Sequence, residues 1–160
     1  MKPTLIKLYS ENNDFQYIET LKHNRAKRAK SGEFFVEGVR AINQALLNQW
    51  EITAFIYSRD KRLSDWAETN LANSRAKRHY ELPAHLMEKL SDKEESSELL
   101  ALVAMPPNDL TRIPERDTLF VVVLDRPSSP GNLGATIRSC DALGVDGLIQ
   151  IAKALDAAAE

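Results

Sequence analysis

LFVVVLDRPSSPGNLGATIRSCDALGVDGLIQI, residues 119–151, is the stretch on which the reading of this chain turns. Leu119 to Leu124 is an unbroken apolar run of six, rich in β-branched residues, and suits a strand buried on both faces of a parallel sheet. It stops at Asp125. Pro127 and Pro130 lack the backbone donor a ladder needs, so Arg126 to Gly131 reads as a loop. A helix is predicted next, with Asn132 as its cap, Leu133, Ile137, Cys140 and Gly144 on one face, and Gly144 at its C-terminal stop. Gly147 to Ile151 reads as a second strand, completing a βαβ unit with a right-handed crossover. Ligands of open α/β sheets bind beyond the carboxyl ends of the strands, where Asp125 to Gly134 falls. The backbone N–H groups that open the helix favour an anion there. The glycines are spaced GxxG, not GxGxxG, and no Lys follows Gly134, so neither the dinucleotide fingerprint nor the phosphate loop is present. Spacing leaves two readings open: a ligand-binding corner, or an ordinary strand–loop–helix turn.

Working outward, 160 residues suffice for one comfortable core or two small ones, and 43% hydrophobic with 28% charged residues describes a globular chain. No apolar run is long enough to span a bilayer, and the N-terminus has neither an apolar signal core nor a cleavage site, so no membrane partner is expected and the cytoplasm is the expected compartment. A single cysteine, Cys140, excludes an internal disulfide and a cysteine-based zinc cluster; on the apolar face it reads as a buried structural thiol. His23, His79 and His85 are too scattered for a metal site. The net charge of −2 hides segregation. Lys22, Arg25, Lys27, Arg28 and Lys30 crowd one segment, and Asp92, Glu94, Glu95 and Glu98 another. The basic run is either a nucleic-acid contact or a solvated helix face.

From the start of the chain, Thr4 to Leu8 is a short alternating piece, and Phe15, Ile18 and Leu21 mark a helix with a basic extension through Lys30, ended by Ser31-Gly32. Glu33 to Gly38 reads as a strand, and Val39 to Trp50 as an amphipathic helix burying Val39, Ile42, Ala45, Leu46 and Trp50. Ile52 to Tyr57 is a strand, and Leu63 to Leu71 a helix facing the sheet. A second basic cluster, Arg75 to Arg78, leads into a strand entry at Tyr80 to Leu82. Pro83 opens a short helix with Leu86, Met87 and Leu90, Ser91 to Glu98 is a loop, and Leu99 to Met105 a strand. Alternating strands and helices define the α/β class. Pro106, Pro107 and Pro114 punctuate a polar stretch, so the expected division is a first domain at 1–106, a linker at 107–116 and a second domain at 117–160.

The segment from Pro130-Gly131-Asn132-Leu133-Gly134 through Arg138, Ala142 and Gly144 resembles the first motif of the SpoU (TrmH-type) RNA ribose 2′-O-methyltransferases of the knotted SPOUT superfamily. Ser129 stands where that family commonly has an acidic residue. Phe35-Val36-Glu37-Gly38, in its order and distance from that motif, is similar to the substrate-binding domain that precedes the catalytic domain in many SpoU-type enzymes. The resemblance implies a small three-layer, ribosomal-protein-like RNA-binding domain, followed by the incomplete start (βαβ) of a SPOUT-type knotted parallel-sheet domain. It also implies S-adenosylmethionine as methyl donor in the complete enzyme, rRNA or tRNA as substrate, and a homodimer.

Methyl transfer to a ribose 2′-hydroxyl requires a donor, a deprotonated oxygen and their alignment. The resemblance places Asn132 and Arg138 at the catalytic centre. A guanidinium carries donors and no acceptor, so Arg138 is read as an electrostatic positioner of the RNA phosphate and the developing alkoxide, not as a general base. The plainer reading of Arg138 is a surface pair with Asp141. Gly131 and Gly134 would allow close approach of substrate, or serve only a tight turn. Lys22, Arg25, Lys27, Arg28 and Lys30 are the expected phosphate contacts, with Arg75, Lys77 and Arg78 as a second strip if the fold unites them. The family's two cofactor motifs do not occur after Ile151, where AKALDAAAE reads as a helical tail. The expectation is a fragment that neither binds S-adenosylmethionine nor turns over by itself. Two rivals remain: a non-catalytic RNA-binding module, and an unrelated nucleotide-binding α/β protein.

Overall fold

The computed structural model describes residues 3–93, 95–127 and 129–151. The predicted tail at 152–160 lies outside the described residues. The chain forms two compact units, Met1–Pro107 and Asn108–Glu160.

The first unit is a five-stranded mixed sheet between two helical layers. Its strands are β1 (Thr4–Lys7), β2 (Glu33–Glu37), β3 (Ile52–Ser58), β4 (Arg78–Leu82) and β5 (Leu99–Ala104), in the order β1-β4-β3-β5-β2. β1, β4 and β3 are parallel, while β5 runs antiparallel to both β3 and β2. From Ala54 on, alternation in β3 sends Ala54 and Ile56 to one face and Phe55 to the other, while a register shift between Ile52 and Ala54 puts Ile52 on the Phe55 side. The first face packs Leu100, Leu102 and Tyr80 against α1 (Asn13–His23), through Phe15, Ile18 and Leu21, and α5 (Ala84–Leu90), through Leu86, Met87 and Leu90. The second packs Val103 and Ala101 against Ile42 and Ala45 of α3 (Val39–Leu47) and Ala67 of α4 (Asp65–Asn73). A buried polar link spans the first face: Glu33 accepts from the Tyr17 hydroxyl and from Arg78 Nη2, each at 2.6 Å. Burial, reinforced by that bond to Glu33, raises the Tyr17 phenol above its ordinary range. On the second face His79 is buried between Phe55 and Tyr57, its Nε2 has no hydrogen-bond partner among the described residues, and desolvation lowers its pKa.

Two expectations for this unit are corrected. The basic extension is not a continuation of α1 but a separate helix, α2 (Arg25–Ser31). Asn24, in extended conformation, donates its N–H to Thr20 at the end of α1 and accepts from Lys27 N–H at the start of α2, so one residue stops one helix and caps the next. Helix α3 ends at Leu47 instead of reaching Trp50, and Val39, Leu46 and Trp50 are exposed, not buried. The reason is a Schellman turn: Gln49 N–H bonds Leu46 O, Trp50 N–H bonds Ala45 O, and Gln49 takes a left-handed φ of 57°.

The second unit contains β6 (Val121–Asp125), α6 (Pro130–Ala142) and β7 (Gly147–Ile151), with β6 and β7 parallel. A 3-10 turn at Leu110–Arg112 precedes them, within the stretch read as a linker. There Ile113 lies so close to Gly147 that a Cβ would meet it at 2.8 Å, and Arg116 pairs with Asp146 at 3.1 Å. Asp146 also accepts Phe120 N–H, fixing the entry to β6. Strand β6 is not buried on both faces: Val123 is 55% exposed and Val121, Val122 and Leu124 are partly covered. Among the described residues only β7 pairs with it, and one helix cannot cover both faces of a two-stranded sheet. Cys140 is buried as expected, whereas Ile137 on the same predicted face is half exposed.

Candidate functional site

The loop between β6 and α6 is held differently from the sequence expectation. Ser129, not Asn132, is the N-cap: its Oγ accepts Asn132 N–H at 3.4 Å, and Pro130 occupies the first helical turn. Serine at that position therefore has a local task of its own, since it satisfies an amide that the opening of a helix otherwise leaves free. Displaced from the cap, Asn132 is exposed, with its backbone carbonyl taking the Thr136 hydroxyl at 2.9 Å and no side-chain hydrogen bond among the described residues.

Arg138 is exposed and makes no ion pair with Asp141 among the described residues. Its Nη1 lies 3.5 Å from the position a Cβ on Gly134 would take, so the side chain runs back one turn toward the start of α6. Asn132 and Arg138 are six positions apart on the helix, so their Cβ directions differ by about 120°, and the Arg138 side chain runs over Gly134, itself about 160° round the helix from Asn132, so the two side chains are not brought together. Gly131 is exposed, and an added Cβ would meet only Ser129 Oγ, at 3.7 Å. Beside this opening Arg126 holds a left-handed φ of 46° and grips Asp125 with Nε and Nη2, both at 2.8 Å, which lowers the carboxyl of Asp125. Arg126 was not singled out by sequence; its only signal is an Asp-Arg pair at the end of an apolar strand. Gly131, Asn132 and Arg138 are exposed and Gly134 partly so, and they form no enclosing cradle for a sulfonium cofactor, so S-adenosylmethionine is not assigned to them.

In the first unit the basic cluster divides. Lys22 has a side chain only 4% exposed, bonded to Asp92 at 2.8 Å and 5.5 Å from the Phe35 ring centre. Arg28 Nη1 donates to Leu21 O and Lys22 O, tying α2 to the end of α1. Arg25, Lys27 and Lys30 are exposed and form no ion pair among the described residues. The second strip divides too: Arg78 turns inward to Glu33, Lys77 lies 3.5 Å from Glu51, and Arg75 is exposed without an ion pair among the described residues. Judged among the described residues, five free or weakly held cations thus remain where the sequence offered eight. Sheet register sets both strips at one end of the unit, since Met105 N–H bonds Gly32 O, Ala104 N–H bonds Glu51 O and Lys77 N–H bonds Thr53 O.

Fold and corner together define a two-part α/β protein in which a ribosomal-protein-like sandwich leads into the opening unit of a parallel-sheet domain. Residues 12–101 match the SpoU L30e-like domain, and residues 119–159 match the SpoU rRNA Methylase family. The chain belongs to the SpoU family. It is 42% identical over 154 residues to the 23S rRNA (uridine(2479)-2′-O)-methyltransferase of Streptomyces viridochromogenes, covering 96% of this chain and 54% of that protein. The crystal structure of the SpoU methyltransferase AviRb from the same organism, in complex with AdoMet, superposes with a TM-score of 0.79 at 41% identity, covering 91% of this chain and 56% of that one. An AdoMet-bound rRNA methyltransferase from Sinorhizobium meliloti gives a TM-score of 0.78 at 23% identity over 93% of this chain and 55% of its own, a likeness of fold. The chain spans about half the length of the curated relatives it matches.

Proposed function

We propose that this chain is the RNA-gripping and motif-bearing part of an rRNA ribose 2′-O-methyltransferase that takes its methyl group from S-adenosylmethionine. In this reading residues 1–106 bind RNA, 107–116 connect, and 117–160 begin the methyltransferase domain; the whole protein works as a homodimer in the cytoplasm. What carries the reading is Arg138, a guanidinium without an ion pair among the described residues and laid back over Gly134 toward the opening of α6, in the motif that gives the family resemblance. There it would hold an RNA phosphate and stabilise the ribose oxygen as its proton leaves, while the uncommitted Asn132 amide orients the ribose. When bound, the cofactor supplies the electrophilic methyl; the residues described here bind and orient the acceptor. Phosphate contacts come from Arg25, Lys27 and Lys30, with Lys22 and Arg28 holding their helices in place.

The test is tritiated methyl transfer to 23S rRNA by the protein encoded by the full reading frame. Arg138→Ala is expected to lower turnover about 100-fold or more with RNA affinity changed far less. Unchanged turnover would leave the rival reading, a binding module using the first unit alone.

A further inference from the structure

The first unit carries a cleft that the site above does not use. It holds about 630 Å³ between the C-terminal ends of α3 and α4 and the start of β3, within the range of small-ligand sites. Trp50 forms one wall. Its ring stands nearly perpendicular to Phe34, at 80° with 5.7 Å between centres, and the residue remains 39% exposed. The Schellman turn with glutamine in its left-handed position is what delivers Trp50 to this place instead of continuing α3.

Polar groups converge on the same space. Asn70 spends its Nδ2 on Trp66 O, at 2.8 Å, and keeps its carbonyl oxygen as an acceptor. Asn73 and Gln49 line the cleft with side-chain amides that have no hydrogen bond among the described residues, and the unpaired Arg75 stands at its rim. An aromatic face, amides that both donate and accept, and one free cation match the three parts of a nucleotide: a flat base, its polar edge and its phosphate. The backbone bonds from Gly32 through Ala104 and Glu51 to Thr53 and Lys77 put the strand that follows basic α2 and the strand that lines the cleft, β3, at the same end of the sheet, two strand spacings or about 10 Å apart. Helix α2 lies beside α1 on the opposite face, so an RNA chain joining them passes around that end.

We infer that the Trp50–Arg75 cleft receives a single unpaired base of the bound RNA, stacked on Trp50 and read at its edge by Asn70, Asn73 and Gln49, while α2 holds the neighbouring phosphates. This rests on the proposed RNA-binding role of the first unit and adds to it a preference for single-stranded or extruded nucleotides.

The experiment uses the 160-residue chain with short single-stranded oligouridylate and oligoadenylate and a blunt RNA duplex, following tryptophan emission and affinity across salt. Single strands are expected to quench emission and bind more tightly than the duplex. Trp50→Ala should weaken that binding about tenfold or more. Arg75→Glu, at an exposed side chain with no ion pair among the described residues, should weaken it and lower the salt slope by about one unit, and it keeps the test decisive if the tryptophan variant does not fold. A triple charge reversal at Arg25, Lys27 and Lys30 separates the two ideas. If that variant loses affinity while Trp50→Ala and Arg75→Glu do not, the cleft assignment is overturned and the RNA-binding role stands. If no oligomer binds the unaltered chain, both fall.

Discussion

β3 and β6 are both largely apolar strands containing β-branched residues, yet all but one residue of β3 is buried and Val123 in β6 is more than half exposed. The difference lies in neighbours. β3 is the central strand of its sheet, paired by β4 and β5, with helices over both faces. Among the described residues β6 pairs only with β7, and one helix, α6, accompanies the pair. An apolar run states a demand for cover; what meets the demand is supplied by chain far away in sequence. The two units should therefore respond unequally to the same kind of damage.

The largest contrast is in core truncation. Leu102 is fully buried on the first face, so Leu102→Ala should cost about 2–5 kcal/mol, read by urea unfolding through the emission of Trp50 and Trp66, both in the first unit. Val123→Ala in β6 should change stability by less than about 1 kcal/mol, because water already reaches that side chain. Hydrogen exchange reports it locally, and a large loss of protection in β6 would show that its exposed face is covered in solution.

A smaller contrast lies in the polar links. Glu33, 9% exposed, serves Tyr17 and Arg78 at once, and Glu33→Ala should cost about 2–3 kcal/mol. The upper range for a buried pair is not reached, because the Arg78 side chain keeps 31% of its surface in water. Asp146 in the second unit likewise serves two partners, Arg116 and Phe120 N–H, but one is an exposed arginine. Asp146→Ala should cost about 1–2 kcal/mol, followed by exchange of the Phe120 amide. Equal losses would mean that solvent screening does not separate the two sites.

Periodicity made the strands legible, and Ile42 and Ala45 on α3 or Leu86, Met87 and Leu90 on α5 sit where it put them. Function-bearing details were less legible, each for a local reason. Ser129 and Asn132 are both good caps, and Pro130 decided between them by fitting the first helical turn, where its missing donor costs nothing. A basic run does not say which of its members the fold will consume, so Lys22 and Arg28 looked like phosphate ligands until Asp92 and the carbonyls ending α1 claimed them. Trp50 was placed in the core because a hydrophobic count over α3 included it; a left-handed glutamine carries no sequence signal. Asn132 and Arg138 entered through resemblance, since helical spacing alone sets them about 120° apart.

The finest comparison is between the two helix ends that close in the same way. At the end of α6, Gly144 N–H bonds Asp141 O and Val145 N–H bonds Cys140 O, with Gly144 at φ 68°; at the end of α3, Gln49 fills the matching place at φ 57°. Glycine adopts that region freely, while a side chain there meets its own backbone and costs roughly 1 kcal/mol. An added Cβ at Gly144 would meet nothing within 4 Å, so Gly144→Ala isolates the backbone term and should destabilise by about 1 kcal/mol, seen as faster exchange at the end of α6. Gln49→Gly should do the reverse and gain up to about 1 kcal/mol in thermal unfolding, reduced by the extra freedom glycine has in the unfolded chain. If the glutamine is kept at that energetic cost because its amide lines the Trp50 cleft, the stabilised variant should bind single-stranded RNA more weakly than the original. A variant that gains stability with undiminished affinity would show that Gln49 contributes only the turn.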